Sequence, residues 1–357
     1  MAPHRRLLAA GLGLLLAAGL VCGLELAARS SETTRIPDHS VPQQSGTDAL
    51  TLPPHPYLLW EQTPGDRKEH GVDVHINRLG LRGPEVSIPK PAGIRRIVSI
   101  GDSSVYGFGV PIDASFTQVT TELLGGRAAG LEGIAAALPG YSTLQLLNLL
   151  ELRAADLEPD LLVVAALWSD NATAAVGDAA LLDRYQRWDL GTAGAADRLL
   201  RRSALVRVLT WELSVRRGAQ ARARADYSTA VPHPDGHQHR VPVADYRQNL
   251  DSLAAIARDR DAAIAFVVLP HPEDLEERTR GVSSFHAYRD AMRGAAQDHD
   301  APLVEGGELF ARAAADDSGL DRDALFLDNI HPSILGHRLL GDALAPALEA
   351  WERQTRP

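Results

Sequence analysis

The sequence predicts an α/β protein in which a parallel β-sheet carries helices on both faces. Short apolar runs alternate along the chain with longer segments whose apolar residues recur at helical spacing. Residues 161–167 form a continuous apolar run, which is typical of a strand buried on both faces of a sheet. Hydrophobic residues make up 45% of the 357 residues, so a sizeable core can form.

The predicted elements begin after residue 57. Residues 72–76 alternate between apolar and polar side chains, as a half-exposed strand does, and a turn follows. The further predicted strands are 97–100, 131–138, 161–167, 262–269 and 302–304. The predicted helices are 116–124, 142–154, 243–258, 285–299 and 334–353. Because ligands bind beyond the carboxyl ends of parallel strands, we expect the turns at 101–103, 168–171 and 270–272 to share one functional edge.

The amino terminus, residues 1–28, has the pattern of a membrane anchor or a signal sequence. Basic residues at 4–6 precede an uncharged apolar run over 7–24, and Glu25 ends that run. Residues 26–28 make a poor cleavage site, so we expect an uncleaved single-pass anchor, with secretion after cleavage as the alternative. In both cases the rest of the chain is expected on the extracytoplasmic side of the cell membrane.

The remaining chain divides into a linker and one domain. Residues 29–56 are rich in Ser, Thr, Pro and His and predict a linker, and 57–355 predict the domain. Within the domain, residues 172–242 are long for a crossover connection and contain a helical pattern at 196–217. We interpret 172–242 as an insertion or lid over the functional edge.

Composition excludes several classes of function. A net charge of −10 argues against nucleic acid as a partner. The single cysteine, Cys22, excludes a disulfide and a cysteine metal site within this chain. His233, His237 and His239 lie in a polar stretch, which is more typical of a solvated loop than of a metal site.

A candidate nucleophile follows the predicted strand 97–100. Gly101-Asp102-Ser103 places a serine at a strand end, where a rigid base can present it to a substrate. A serine nucleophile needs a base, and His331 has an aspartate, Asp328, three residues before it. That spacing lets the carboxylate hold one ring nitrogen while the other takes the serine proton. A helix-capping aspartate beside a surface histidine is the alternative, and we expect Asp102 to be structural.

Two further residues can stabilise an oxyanion. Gly140, in Pro139-Gly140-Tyr141-Ser142, follows the predicted strand 131–138, and its N–H can face a reacting carbonyl group. Asn171 follows the run 161–167 and can donate its side-chain amide. The alternatives are a turn glycine and an asparagine that caps a helix.

These four blocks, Gly-Asp-Ser, Gly, Asn and Asp-x-x-His, occur in an order that resembles the SGNH (GDSL) hydrolase family. The sequence Asn-Arg-Leu-Gly-Leu-Arg-Gly-Pro-Glu at 77–85 and the Pro-Gly-Tyr-Ser-Thr at 139–143 resemble a bacterial, membrane-anchored branch of that family. The resemblance covers about residues 72–345 and leaves out the anchor, the linker and most of the insertion.

The resemblance implies a three-layer α/β/α sandwich of the flavodoxin-like kind and ester hydrolysis without a cofactor or a metal. It implies Ser103 as the nucleophile, His331 as the base and Asp328 as the residue that orients the base. The implied oxyanion donors are the Ser103 N–H, the Gly140 N–H and the Asn171 side-chain amide.

The third block departs from the family pattern. The family usually has Gly-x-Asn-Asp there, whereas this chain has Trp168-Ser169-Asp170-Asn171. If Asp170 keeps the position of the family's Asn, a carboxylate faces the oxyanion and hinders catalysis. We expect instead a shift of one residue that brings Asn171 to that position.

The resulting hypothesis is a serine esterase that hydrolyses O-acetyl or short-chain acyl esters of small molecules or glycans. An O-acyltransferase of envelope glycans would use the same residues with a hydroxyl group in place of water. A non-catalytic glycan-binding or assembly protein that retains the fold is the alternative from another class, and the third block is its main support.

Overall fold

The computed structural model describes residues 3–35, 54–55, 57–174, 176–189, 203–206, 208–209, 238–276, 285–316 and 320–355. Its strands are β1 (Pro54–His55), β2 (Leu59–Trp60), β3 (Gly65–Glu69), β4 (Val72–Ile76), β5 (Arg95–Gly101), β6 (Leu131–Ala137), β7 (Leu161–Ala165), β8 (Thr173–Ala174), β9 (Gln238–His239), β10 (Ala263–Val268) and β11 (Leu303–Glu305). Its α-helices are α1 (Pro3–Arg35), α2 (Ser103–Tyr106), α3 (Phe116–Leu123), α4 (Thr143–Leu152), α5 (Trp168–Asn171), α6 (Asp178–Asp189), α7 (Val243–Asp259), α8 (Phe285–Asp298), α9 (Gly306–Asp316), α10 (Arg322–Leu325) and α11 (Ile334–Thr355). Short 3₁₀ helices span Ile112–Ala114, Gly126–Ala129, Ala154–Leu157 and Pro272–Leu275.

A five-stranded parallel sheet lies at the centre of the domain, in the order β11-β10-β7-β5-β6. Within this sheet, β5 is the first strand along the chain, and it has the second, β6, on one side and the third, β7, on the other, which is the flavodoxin-like order. After β5 the chain adds β6 on one side and then adds β7, β10 and β11 on the other, so the topological switch point lies between β5 and β7. Ligands of such sheets bind beyond the carboxyl ends of the strands at the switch point, which here are the segments that follow β5 and β7.

Helices cover both faces of the sheet. Helices α3 and α11 pack on each other on one face, and α4, α7 and α8 form a second contiguous group on the other. All five residues of β7 are buried, as its apolar run predicts. The predicted three-layer α/β/α sandwich is confirmed.

Most predicted elements appear within one or two residues of their expected ends. The strand at Leu131–Ala137 forms despite its alanines and glycine, because it pairs along its whole length with β5. The predicted turn at 168–171 is a short helix, α5, rather than an irregular turn. The antiparallel hairpin of β3 and β4 confirms the alternating pattern at 72–76.

The amino-terminal helix is longer than predicted. Helix α1 continues to Arg35, beyond the expected boundary at 28, because no proline lies between its first residue, Pro3, and Pro37. Its stretch Gly11–Ser30 is long and apolar enough to cross a membrane, as a signal sequence also can be. At the other end of the predicted linker, β1 pairs with β2.

The two ends of the predicted insertion meet in a small sheet. Strand β8 pairs antiparallel with β9, so the chain leaves and re-enters the domain at the same place. Of the predicted helical stretch 196–217, residues 204–206 and 208–209 are helical and Ser203 is not, and the others lie outside the described residues. The interpretation of 172–242 as a lid therefore stays a prediction.

Candidate active site

The candidate nucleophile lies at the carboxyl end of β5. Asp102 caps helix α2, and its carboxylate accepts hydrogen bonds from the backbone N–H groups of Ser104 at 3.0 Å and of Trp168 at 3.1 Å. Full burial raises the pKa of Asp102 despite these donors. The side chain thus ties the turn after β5 to the turn after β7, which confirms the predicted structural role. Ser103 is the first residue of α2 and is nearly buried.

The glycine before this turn is required by packing. A Cβ atom on Gly101 would lie 2.1 Å from the carbonyl oxygen of Ala165 and 2.2 Å from a Val105 methyl carbon. The first of these is a backbone atom of the neighbouring strand, so it cannot move aside without breaking the sheet register. Gly101 therefore allows β5 and β7 to approach closely beneath Ser103.

The candidate base reaches Ser103 from a loop between α10 and α11. His331 Nε2 lies 2.7 Å from Ser103 Oγ, and His331 Nδ1 lies 2.7 Å from Asp328 Oδ2. The other Asp328 oxygen, Oδ1, accepts the backbone N–H groups of Ile330 and His331, both at 2.9 Å. These bonds hold the carboxylate in one orientation, so a continuous hydrogen-bonded chain runs from Asp328 through His331 to Ser103.

Electrostatics favour one protonation state of the hydrogen-bonded Asp328, His331 and Ser103 side chains. Burial by itself would raise the pKa of Asp328, but the hydrogen bond and the charge of His331 and the two backbone donors outweigh it and lower the pKa to about 2. An ionised Asp328 accepts a hydrogen bond, so the Nδ1 atom of His331 carries the proton. Nε2 then presents its lone pair to the Ser103 hydroxyl, which is the arrangement that a general base needs.

An aromatic side chain covers the imidazole. Phe108 stacks on the His331 ring with centroids 4.1 Å apart and an interplanar angle of 21°. On its other side Phe108 meets His70, at the tip of the β3–β4 hairpin, also with a centroid distance of 4.1 Å. The hairpin is fixed to α2 because the Tyr106 hydroxyl donates to the buried carboxylate of Glu69 at 2.8 Å. The segment that precedes β5 therefore forms part of the wall of the site, a feature with no sequence signal.

Gly140 lies at the same edge of the sheet as Ser103. Strand β6 pairs with β5 so that Ala137 opposes Gly101, and Gly140 follows three residues later. Its φ of +82° is the left-handed conformation that favours glycine. The carbonyl oxygen of Gly140 accepts a hydrogen bond from Arg240 at 2.7 Å. The conformation of this turn is thus set by a residue that the sequence pattern did not indicate.

Asp170 and Asn171 of the third block have different surroundings. Asp170 is fully buried, and its carboxylate accepts the backbone N–H of Thr143 at 2.9 Å and the Thr143 hydroxyl at 2.5 Å. Burial raises the pKa of Asp170 to about 7 against the opposing effect of the Thr143 donors. The half-buried Asn171 contributes its backbone oxygen to a bond with His239 Nδ1 at 2.6 Å. The carboxylate of Asp170 is therefore engaged by the first turn of α4.

Aromatic rings also surround the segment after β10. His271 lies between Trp168 and Phe285, with ring centroids 5.3 and 4.8 Å away. Burial lowers the pKa of His271 to about 4, so its ring is neutral at pH 7. The expected meeting of the segments after β5, β7 and β10 at one edge is observed in this neighbourhood.

Metal ligation finds no support in the part of the chain that the structure describes. No group of three or more His, Cys, Asp or Glu side chains there is arranged to hold an ion. Of the three histidines considered from sequence, His239 is engaged with Asn171, while His233 and His237 lie outside the described residues.

Comparison with known proteins adds independent findings. Residues 99–339 match the model of the GDSL-like Lipase/Acylhydrolase family. Comparison with curated proteins found no match. Among solved structures, the chain is similar to the acetyl xylan esterase AlAXEase, at 14% identity and a TM-score of 0.47, over 71% of this chain and 99% of that one.

Two further structures are similar at the same level. One is Axe2, an acetylxylan esterase from Geobacillus stearothermophilus, at 14% identity and a TM-score of 0.46, over 71% of this chain and 94% of that one. The other is the psychrotrophic esterase EstA from Pseudoalteromonas sp., at 13% identity and a TM-score of 0.41, over 72% of this chain and 99% of that one.

Proposed function

The chain belongs to the GDSL-like lipase/acylhydrolase family and is a hydrolase that acts on esters, and from this premise we propose that it is a serine esterase with a Ser103–His331–Asp328 triad. The observation that carries the proposal is the hydrogen-bonded chain between these three side chains, with both links at 2.7 Å. The triad stands at the carboxyl edge of the sheet beside the β5–β7 boundary, where sheets of this order bind their ligands.

The reaction follows from this geometry. Ser103 Oγ attacks the ester carbonyl carbon while His331 Nε2 takes the hydroxyl proton, and the carbonyl oxygen becomes an oxyanion. The bond to the leaving alcohol then breaks, and His331 returns the proton to that alcohol. Water attacks the acyl-enzyme by the same two steps and releases the acid. Asp328 stabilises the imidazolium that forms in each half of the reaction.

Three donors are proposed for the oxyanion: the backbone N–H groups of Ser103 and Gly140 and the side-chain amide of Asn171. Two observations support this set. The turn that contains Gly140 is held at the edge of the sheet that carries Ser103. The carboxylate of Asp170, which would hinder catalysis if it faced the oxyanion, is engaged by Thr143 instead.

The substrate class that we propose is an O-acetyl or short-chain acyl ester of a small molecule or a glycan. The Phe108 ring is stacked on the His331 ring next to Ser103. An aromatic side chain packed against the imidazole restricts the space beside the nucleophile, which favours a small acyl group. Initial rates on p-nitrophenyl esters of two to twelve carbons would test this (a chain-length series typical for esterases), and a rate that rises with length would contradict it.

Transfer of the acyl group to a glycan hydroxyl, in place of water, would use the same residues. Product analysis with and without an acceptor glycan distinguishes the two reactions, because only transfer yields an acylated glycan. A non-catalytic glycan-binding protein is the remaining alternative. It requires that the folded protein resist labelling by a fluorophosphonate probe.

The decisive experiment replaces the nucleophile and its neighbour in parallel. Ser103→Ala should lower kcat for p-nitrophenyl acetate by at least about 1,000-fold, because no other group can form the acyl-enzyme. Ser104→Ala is the matched control: the Ser104 hydroxyl is buried and has no hydrogen-bond partner among the described residues. A Ser103→Ala enzyme with the rate of the wild type would refute the proposed function.

We also propose that α1 is retained as a membrane anchor, with the domain on the extracytoplasmic side. The Glu25 carboxylate accepts hydrogen bonds from the Ser203 hydroxyl at 2.6 Å and from the Ala204 N–H at 2.9 Å. Ala28, at the end of the weak cleavage sequence, packs against Ala204 and Val208. Signal cleavage after Ala28 would remove these contacts, which supports an intact helix.

The intact mass of the protein purified from membranes tests this second proposal. The mass of the full chain is expected, and a mass that lacks the first 28 residues would refute retention. Protease added to intact spheroplasts should digest the domain, because the basic residues at 4–6 favour a cytoplasmic amino terminus.

A further inference from the structure

The turn that carries Gly140 is held by one guanidinium group. Arg240 donates from Nη1 to the carbonyl oxygen of Gly140 at 2.7 Å and from Nη2 to the side-chain oxygen of Gln145 at 2.9 Å. The same Gln145 oxygen accepts the backbone N–H of Ser142 at 3.1 Å. Both ends of the turn are therefore connected to Arg240.

A buried aspartate completes this arrangement. Asp178 accepts from Arg240 Nε at 3.0 Å and from Nη2 at 2.8 Å, and it also accepts the Ser142 hydroxyl at 2.6 Å. Asp178 is 2% exposed and the Arg240 side chain 13% exposed. The guanidinium group also lies over the ring of Trp60, 5.5 Å from its centroid. A bidentate pair that is so shielded from water holds its partners rigidly.

Both members of the pair belong to the predicted insertion, one near each end. Asp178 donates its backbone N–H to the carbonyl oxygen of Arg240 at 2.8 Å, and Arg240 donates its own to Ala172 at 2.8 Å. These bonds continue the β8–β9 sheet. The two ends of the insertion are therefore hydrogen-bonded to the turn that follows β6, through Asp178 and Arg240.

We propose that Arg240 is a positioning residue for ester hydrolysis: it fixes the Gly140–Tyr141 peptide through the Gly140 carbonyl oxygen. This restricts rotation about the Gly140 backbone, so that the Gly140 N–H, in the preceding peptide, points at the oxyanion formed on attack by Ser103. The inference rests on the proposed function, in which Gly140 is an oxyanion donor. Such donors accelerate a reaction only when they are oriented beforehand. Gly140, at φ +82°, has no side chain to restrict its rotation, so the hydrogen bond to its carbonyl oxygen supplies that restriction.

The chemistry of the contact requires arginine. The guanidinium fork reaches Gly140, Gln145 and Asp178 in one plane, whereas an ammonium group cannot make the bidentate bond to Asp178 and also reach both oxygens. Asp178 compensates the buried charge and orients the fork. The pair does not touch the reacting atoms, so its loss should affect kcat and leave KM nearly unchanged.

The test measures kcat and KM of full-length Arg240→Ala and Arg240→Lys on p-nitrophenyl acetate. We expect kcat of Arg240→Ala to fall about 100-fold, as for loss of an oxyanion donor, with KM within about threefold of the wild type. Added guanidinium chloride at millimolar concentration should restore activity to Arg240→Ala at least about tenfold, because it can refill the vacated site. Arg240→Lys should fall by roughly 10-fold or more and respond weakly to guanidinium.

Arg96→Lys is the matched control, since Arg96 is also buried and bonds one carboxylate, Glu132, and two carbonyl oxygens, those of Leu157 and Ser87. It lies at the amino end of β5, at the opposite edge of the sheet from Ser103. Arg96→Lys should lower the melting temperature and keep kcat.

Two results would overturn the inference: an Arg240→Lys enzyme with the kcat of the wild type, or equal losses of kcat in the Arg240→Lys and Arg96→Lys enzymes. If Arg240→Ala does not fold, the comparison of the two lysine variants decides alone. Failure of the proposed function is distinguishable from failure of this inference. An active Ser103→Ala enzyme would refute the proposed function, whereas the kcat values of the arginine variants test the role of Arg240.

Discussion

Asp170→Asn tests whether the third block carries a buried carboxylate that folding pushes towards its protonated form. The hydrogen-bond donors to Asp170 are the N–H and the hydroxyl of Thr143, both of them neutral. Full burial raises the pKa of Asp170 to about 7; the Thr143 donors and the charge of Arg240 lower it, and Asp178 adds a further increase. An asparagine would keep an acceptor for Thr143 without a charge in the interior.

The sign and size of the effect follow from linkage. Folded protein holds the Asp170 proton up to about pH 7, whereas the unfolded chain releases it near pH 4. Folding therefore takes up a proton between these values, and this group lowers the unfolding free energy as the pH rises through that window. At about 1.4 kcal/mol per pH unit, the contribution between pH 5 and pH 7 is about 3 kcal/mol. Above about pH 8, where Asp170 is ionised in both states, it changes no further.

Urea denaturation of both proteins at half-unit steps from pH 5 to pH 8 measures this effect. The stability of Asp170→Asn relative to the wild type should increase by about 3 kcal/mol from pH 5 to pH 7 and then level off. Any constant cost of the new amide leaves that slope unchanged. Asp73→Asn makes the same charge change on a side chain that is 85% exposed and controls for net charge. A difference between Asp170→Asn and wild type that is flat over this range would refute the reasoning.

Three further results are expected. Asn171→Ala should lower kcat for p-nitrophenyl acetate by about 100-fold with little change in KM, as loss of an oxyanion donor does, and an unchanged kcat would remove Asn171 from the oxyanion set. Gly101→Ala should destabilise the protein by about 3 kcal/mol in urea denaturation, because its methyl group meets the Ala165 carbonyl oxygen, and a stability equal to that of the wild type would contradict that contact. Phe108→Ala should lower kcat roughly tenfold, because no ring is then stacked on His331 to restrict its motion. Phe108→Tyr keeps the ring and should keep kcat, so an equal loss of kcat in the two variants would contradict this reasoning.

The sequence of strands and helices along the chain was largely predictable because strand and helix patterns are local. Apolar runs such as 161–167 indicate a strand without reference to any other part of the chain. Residues 168–171 are an exception, because they form a helix where a turn was predicted. The Trp168 N–H donates a hydrogen bond to the Asp102 carboxylate after the neighbouring strand, and that partner is distant in sequence.

The polar residues of the site were predictable where their partners are close in sequence and were missed where their partners are distant. The spacing of Asp328 and His331 is a local relation within one loop, so the sequence alone indicated that the two side chains can meet. Arg240 escaped sequence analysis because its partners, Gly140 and Asp178, lie 100 and 62 positions away. An isolated arginine before a helix has no pattern that distinguishes it from a surface residue.

The amino-acid sequence by itself determined the family, the fold class and the identity of a serine, an aspartate and a histidine that can act together, because each motif is a local spacing on a local element. Only the tertiary structure decided which groups meet across the chain. It brings His331 Nε2 to 2.7 Å from Ser103 Oγ over 228 positions and commits the Asp170 carboxylate to Thr143. Periodicity specifies which face of an element is buried, but the hydrogen-bond partner of a buried polar group depends on how the elements pack against one another. Packing removes water from that group, so without a partner it would lower the stability of the fold.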